Sequence, residues 1–456
     1  MNVIMKFGGT SVADAEAMGR VIAIVRQQIA ANANDKLPVI VVSAMSKVTD
    51  RLIETGRLAG IGDTAGAAKT MDDLLERHIG VAGGLVSGDR LAALTAQLRE
   101  DFAAETTAVR QLAAHSEVTP RDHDALVAMG ELASSRIVAA AFAERGVPAV
   151  WVDARRVLVT DADHTQALPD MEATLGRTRE ELGTRVAAGQ VPVTGGFIGS
   201  TAGGVTTTLG RGGSDYSAAI FGACLDVDEI QIWTDVDGML TADPRVVPEP
   251  KLVPQLSFAE ASELAYFGAK VLHPATILPA VAKNIPVRIL NSRRPEVTGT
   301  IITANGRSGG PAMTALACKR GVTVVDITSS RMLMAHGFLR RLFEVFERFK
   351  TSVDVVTTSE VSVSVTVDNP RRLEDIASNL KNFAEVSRES DMAIVCAVGE
   401  NLRADPTLFA RAVNALDRIP LRLVSQAASR RNITFVMRDA DAPEAMKRLH
   451  QAFFGA

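Results

Sequence analysis

The chain has 456 residues, more than one hydrophobic core normally serves, and 47% of them are apolar, so two or three packed domains are expected. A net charge of −4 excludes the strongly basic balance of a nucleic-acid-binding chain. Three scattered cysteines (Cys224, Cys318 and Cys396), with no CxxC pair, exclude a disulfide framework and a cysteine zinc site and fit a reducing, cytoplasmic setting. The opening MNVIMKFGG is too short an apolar stretch for a signal peptide, and no apolar run reaches about 18 residues, so no membrane span is expected.

Asn2–Phe7 reads as a short strand carrying Lys6, with Gly8 and Gly9 directly after it and a helical pattern running to about Ala31. Strand, paired glycines and helix start make a phosphate cradle, although the lysine precedes the glycines, unlike a P-loop. Pro38–Val42 is a buried-type strand that ends in the polar turn Ser43–Asp50, which contains Thr49. Leu52 to about Thr119 is mostly helical, and Arg121–Arg145 is a further helix with Glu131 among apolar neighbours. Pro148–Val152 and Arg156–Thr160 read as strands.

The most informative stretch is Val191–Asp215, VPVTGGFIGSTAGGVTTTLGRGGSD. It reads as a strand, a glycine-rich loop with Phe197 and Arg211, then Ser214 and Asp215 at a helix start. Glycines let amide groups approach an anion, the helix end adds a positive dipole, and an arginine fork matches a carboxylate or phosphate. Glu229–Trp233 is a strand ending in Thr234-Asp235, and Pro286–Asn291 is another. Apolar strands alternating with helices imply a mostly parallel sheet covered on both faces, a three-layer αβα arrangement. Lys6-Gly8-Gly9, Ser43–Thr49, Phe197–Asp215 and Thr234-Asp235 all follow strands, so they converge on the edge where such sheets bind ligands.

Arg294–Thr314 reads as a linker. Beyond it a β-α-β-β-α pattern is written twice with a period of about seventy residues, as two ferredoxin-like α+β units. The strands are expected at Gly321–Ile327, Ser352–Thr358 and Val361–Val367, then at Met392–Val398, Leu421–Ser425 and Asn432–Val436. The second copy stops at its helix and must borrow a strand from the first copy or from the linker. The expected division is a catalytic domain over 1–300, a linker over 301–317 and two small domains over 318–390 and 391–456.

Lys6-Phe7-Gly8-Gly9-Thr10-Ser11, Gly130-Glu131-Leu132, TTTLGRGGSD (206–215), Trp233-Thr234-Asp235-Val236 and FGAKVLHP (267–274) together resemble the aspartate kinases, members of the amino-acid kinase family with a C-terminal pair of ACT domains. The resemblance spans essentially the whole chain and is greatest to the lysine-sensitive monofunctional type. It implies transfer of the ATP γ-phosphate to the β-carboxylate of L-aspartate, with Mg²⁺. It places Lys6, Gly8, Gly9 and Asp215 at the transferring phosphoryl group. Thr49, Glu131, Phe197, Arg211 and Ser214 fall at aspartate, and Lys6, Gly9, Thr234, Asp235, Leu240, Arg245, Lys270 and Val271 at the nucleotide. Leu240 stands where relatives carry a tyrosine. In the first ACT unit it assigns a lysine site, which threonine can share, to Met332, Ala335, Gly337, Phe338, Leu339, Ser352, Val353, Asp354, Thr358, Ser359 and Glu360. It also implies a homodimer or dimer of dimers through the ACT domains. A catalytically weak amino-acid sensor and the kinase portion of a bifunctional enzyme are the competing readings.

Overall fold

A computed structural model of the chain describes residues 2–31, 37–269, 274–306, 312–333, 336–426 and 430–455. The helices are α1 (Ala15–Ala31), α2 (Val48–Gly60), α3 (Thr64–Gly83), α4 (Gly88–His115), α5 (Pro120–Glu144), α6 (Met171–Thr178), α7 (Thr184–Ala187), α8 (Gly213–Cys224), α9 (Phe258–Tyr266), α10 (Leu278–Ala282), α11 (Phe338–Arg348), α12 (Leu373–Leu380), α13 (Pro406–Ala415) and α14 (Ala442–Phe454). The strands are β1 (Val3–Phe7), β2 (Val39–Val42), β3 (Ala149–Val152), β4 (Val159–Thr160), β5 (Val191–Gly195), β6 (Ile198–Thr201), β7 (Thr206–Thr208), β8 (Glu229–Thr234), β9 (Gln255–Ser257), β10 (Val287–Asn291), β11 (Thr300–Thr303), β12 (Met313–Thr328), β13 (Val356–Thr358), β14 (Ser362–Val367), β15 (Glu385–Gly399), β16 (Leu423–Ser425) and β17 (Asn432–Arg438).

The chain forms two compact units, and their boundary is not a single point. The first is Met1–Met239, Pro254–Phe258 and Val271–Asn305; the second is Leu240–Val253, Ala259–Lys270 and Gly306–Ala456. Two segments from within the span expected to be catalytic therefore pack with the C-terminal half. Ala242 and Val247 join the core of the second repeat, and the Thr241 hydroxyl lies 2.9 Å from His450 Nε2. Segment 301–317 is also structured at both ends, holding most of β11 and the start of β12.

The first unit is built on an eight-stranded sheet ordered β3-β5-β2-β1-β8-β10-β11-β9. Its neighbours run parallel except for β10 and β11. Every residue of β1 and β2 is buried, as a strand covered on both faces requires. Val3, Met5 and Phe7 pack into a core with α1–α5, while α8 lies against β1 and β8. Thr119 and Asp122 form a capping box at the start of α5, and Pro120 occupies its first turn. By length and composition α5 is apolar enough to cross a membrane, but 83% of its apolar window is buried, as in a core helix.

In the second unit, the repeats β12-α11-β13-β14-α12 and β15-α13-β16-β17-α14 build one six-stranded antiparallel sheet, ordered β13-β14-β12-β15-β17-β16. The strand missing from the second repeat comes from inside the chain: Met313–Arg320 of β12 pairs with Ala393–Gly399 of β15. The rest of β12, Val324–Thr328, pairs with Glu385–Glu389. Each long strand thus serves one repeat with each of its halves. Both exceed the lengths expected from the sequence: β15 opens with a polar, exposed run, Glu385–Asp391, that carries no apolar pattern, and β12 starts at Met313, within the stretch expected to be linker.

Candidate active site

Strands β5, β2, β1 and β8 are parallel neighbours, so the loops at their carboxyl ends meet at one edge of the sheet. Alternation along β1 sends Lys6 to the face opposite Val3, Met5 and Phe7. There Lys6 is 8% exposed, with its Nζ 2.6 Å from Oδ1 of Asp215 in the first turn of α8. The Gly8 N–H donates to the Trp233 carbonyl at 3.0 Å, and the Ser46 N–H donates to the Gly9 carbonyl at 3.0 Å. A Cβ on Gly9 would stand 2.9 Å from the Ala44 carbonyl oxygen, so the two loops approach as closely as glycine allows.

Of the two helix starts that the sequence offers as anion cradles, one is already occupied. The Ala17 N–H donates to Asp14 at 2.8 Å, and α1 begins only at Ala15, several residues beyond the glycines. α8 instead starts behind Gly212 with no side-chain cap, and Gly213, Ser214 and Asp215 line the cleft. The Gly213 and Asp215 N–H groups already donate to the Gly210 and Gly212 carbonyls at 3.1 Å, so this end offers an anion its dipole and the Ser214 N–H. The Ser43 hydroxyl donates to the Ser214 hydroxyl at 3.0 Å. Phe197 holds a left-handed φ of 67°, fixed by its N–H donating to the Ser217 hydroxyl at 2.9 Å.

Glu131 lies mid-helix in α5 and is 3% exposed. Its Oε1 accepts the Ala44 N–H at 3.0 Å, and its buried Oε2 has no hydrogen-bond partner. Burial pushes its carboxyl up to about 8, against the Ala44 amide and the charge of Lys6. A buried carboxylate with a free oxygen aimed into a cleft is a ready partner for a cation.

The cleft measures about 520 Å³ and gathers Lys6, Gly8, Gly9, Thr49, Glu131, Phe197, Ser214, Asp215, Thr234 and Asp235. Arg211 is exposed on the turn between Gly210 and Gly212, which themselves line the cleft, and forms no ion pair among the described residues. Leu240 and Arg245 belong to the second unit, where Arg245 pairs with Asp243 at 2.6 Å. Lys270 and Val271 lie outside the described residues, as does Ala335. Sequence reasoning assigned no role to Thr10, Lys47 and Asp50, which also line the cleft. Lys47, at a left-handed φ of 64° ahead of α2, adds a second cation; the polar turn after β2 was its only signal.

The regulatory candidates fall around α11 in the second unit. Gly337, with a φ of 82°, precedes the first turn, Phe338-Leu339, and no side chain caps the helix. Met332 lies in a short 3₁₀ turn just before. Ser352, Val353 and Asp354 precede β13, which spans only Val356–Thr358, and Ser359 and Glu360 follow it in an exposed turn. Asp354 already has a partner: Lys319 Nζ lies 2.8 Å from its Oδ1 and 3.4 Å from Asp368, and sits over the Tyr266 ring at 4.7 Å. The Asp354 side chain is only 4% exposed. Burial first, then the Asp354 charge, raises the Tyr266 hydroxyl.

The model of the amino acid kinase family matches residues 1–291, and that of the ACT domain matches 395–453. Aspartokinase 3, chloroplastic, of Arabidopsis thaliana is 37% identical over 100% of this chain and 82% of its own length. The crystal structure of Escherichia coli aspartokinase III in complex with aspartate and ADP (R-state) is 34% identical, with a TM-score of 0.85 over 100% of both chains. The same enzyme in complex with lysine and aspartate (T-state) is 35% identical, with a TM-score of 0.81 over 99% of each.

Proposed function

The chain belongs to the amino acid kinase family as an aspartokinase with C-terminal ACT domains, and from that premise we propose that it transfers the γ-phosphoryl group of ATP to the β-carboxylate of L-aspartate, giving 4-phospho-L-aspartate and ADP. The observation that carries this reading is the meeting of Lys6, Asp215, the uncapped start of α8 and a buried, half-partnered Glu131 in one cleft. The aspartate and ADP complex of the E. coli relative supports it.

An oxygen of the aspartate side chain attacks the γ-phosphorus as the bond to the β,γ-bridging oxygen breaks, and ADP carries away the electron pair. An aspartate side chain, with a pKa near 3.9, is already ionised at neutral pH, so no general base is required. The cleft accordingly has no lining histidine among the described residues. What the step needs is positioning and charge: two anions must be held together in a loose transition state. Lys6 supplies the buried cation, Asp215 fixes its direction, and the positive end of α8 faces the phosphates. Arg211 takes an aspartate carboxylate and Glu131 the α-ammonium. Magnesium would neutralise phosphate oxygens. It needs only one or two carboxylates beside phosphates and water, which Asp215 and Asp235 at the cleft wall satisfy; no cluster of three metal-binding side chains occurs among the described residues.

Glu131 gives the reading a pH signature. With its carboxyl raised to about 8, the empty site is protonated at neutral pH and must ionise to hold an ammonium. kcat/KM for aspartate is therefore expected to climb from pH 6 to about 8 and then level. Glu131→Gln should abolish the climb and raise KM for aspartate more than KM for ATP. Equal effects on both substrates would make Glu131 structural. The stability effect has the opposite sign: a carboxyl raised in the folded state costs stability as pH rises from about 4.5 to 8. The Gln variant should lose that pH dependence in thermal melts.

Lysine is the proposed feedback effector, bound at the start of α11 and at Asp354; the lysine complex of the E. coli relative supports the choice. Lys319 holds the carboxylate that the effector's ammonium needs, so the two compete. Lys319→Met should lower the lysine concentration for half-inhibition about tenfold, the equivalent of about 1.4 kcal/mol, and Asp354→Ala should abolish inhibition. Unchanged lysine inhibition in Asp354→Ala refutes the site, and inhibition by threonine alone refutes the effector.

We also propose a cytoplasmic homodimer or dimer of dimers joined through residues 315–456. The missing strand is supplied within the chain, so the argument rests on the sheet's open edges: β13 is exposed along its whole length. Light scattering at micromolar concentration should give at least a dimer; a monodisperse monomer contradicts this.

A further inference from the structure

Nothing local in the sequence singles out Asp124, yet its carboxylate takes hydrogen bonds from three residues. It lies in α5 seven residues before Glu131, hence on the same face two turns away. Its side chain is fully buried. Groups from two other segments converge on its two oxygens. The Thr208 hydroxyl, at the end of β7, donates to Oδ1 at 2.6 Å. The Thr165 N–H donates to both oxygens at 3.1 and 3.0 Å, and His164 Nδ1 lies 2.8 Å from Oδ2. His123 is a further neighbour at 3.9 Å. Burial alone would raise this carboxyl, but these hydrogen bonds outweigh it and hold it below the usual carboxylate range.

Each tied segment leads directly to the substrate loop. Thr208 is followed by Leu209, Gly210 and Arg211, and the Leu209 N–H donates to the Phe197 carbonyl at 2.9 Å. Thr165 holds a left-handed φ of 72°, unusual for a β-branched residue, which aims its N–H at Asp124. Its carbonyl abuts the turn: a Cβ on Gly210 would stand 3.1 Å from that oxygen. Gly210 lines the cleft. The helix bearing Glu131 and the loop bearing Phe197 and Arg211 are thus bolted together at one carboxylate, outside the cleft lining itself.

We propose that Asp124 is a positioning residue for the aspartate half of the site, setting the spacing between Glu131 and the Phe197–Arg211 loop without touching either substrate. The inference rests on the reading of aspartate as acceptor, which wild-type turnover with aspartate checks separately. Asparagine has one acceptor oxygen where two are used, and its NH₂ would face donors. In Asp124→Asn, KM for aspartate should rise at least tenfold while KM for ATP stays within threefold. Thr208→Val, which removes one hydroxyl and keeps the strand, should raise KM for aspartate about threefold, and Thr208→Ser should restore it. A purely structural carboxylate predicts something else: lower stability with both KM values moving together or neither moving. That pattern in folded Asp124→Asn overturns the proposal. If Asp124→Asn does not fold, the Thr208 pair decides it, and an unmoved aspartate KM in Thr208→Val overturns it as well.

Discussion

Lys6→Ala is expected to give a folded protein whose kcat is lower by on the order of a hundredfold or more, the usual cost of deleting one preorganised charge-stabilising group. Lys6 is only 8% exposed at the sheet edge, so water cannot readily replace its charge. Its stem packs on the sheet face near α8, and Asp215, left behind, is 16% exposed and can be solvated. The fold should therefore outlast the activity. Lys6→Arg should not rescue it, because the planar fork is larger and does not reproduce a point charge 2.6 Å from Asp215. Steady-state kinetics beside circular dichroism decide the matter: near-normal kcat in Lys6→Ala removes Lys6 from the reaction.

A second large effect is expected from the smallest of substitutions, Gly130→Ala. Helix propensity alone favours alanine mid-helix by about 1 kcal/mol. Packing opposes it. The new Cβ would stand 2.7 Å from the Ala44 Cβ and 3.3 Å from Val48 Cγ1. Overpacking a close contact costs about 1–3 kcal/mol, so packing wins. Relief requires α5 and the turn after β2 to separate, and that turn holds the Ala44 N–H bonded to Glu131. Gly130→Ala should melt a few degrees lower and raise KM for aspartate more than KM for ATP. Ala44→Gly in the same chain should recover both. A Gly130→Ala protein as stable and as tight for aspartate as wild type would show that the contact yields freely.

Much of the catalytic cleft is legible in the sequence because its residues sit where strands end. Lys6, Gly9, Thr49, Phe197, Asp215 and Thr234 each follow or close an apolar run, and a parallel sheet sends all such ends to one edge. Glu131 was marked by its apolar neighbours, which are unusual for an exposed helical acid. Asp124 gave no comparable sign, since its partners Thr165 and Thr208 are 41 and 84 residues away. The membership of 240–253 and 259–270 in the second unit is hidden for the same reason: it depends on contacts such as Thr241 with His450, which no local period records. The length of β15 is hidden because half of it faces solvent and reads as loop, and that of β12 because its first half pairs with a strand about eighty residues away.

The reciprocal sharing of β12 and β15 limits how this half of the molecule can be dissected. A protease cut or a recombination point between residues 390 and 391 looks like a clean border between modules. Yet the downstream fragment would leave Met313–Arg320 behind, stripping β15 of a neighbour along Ala393–Gly399, and the upstream fragment would keep Met313–Arg320 with that partner gone. Neither piece inherits a complete sheet, and each would carry a raw edge prone to self-association. A repeat transplanted from a relative would need both half-strands to travel with it. The duplication is thus heritable only as a pair: sequence drift can individualise the two copies, but deletion cannot separate them.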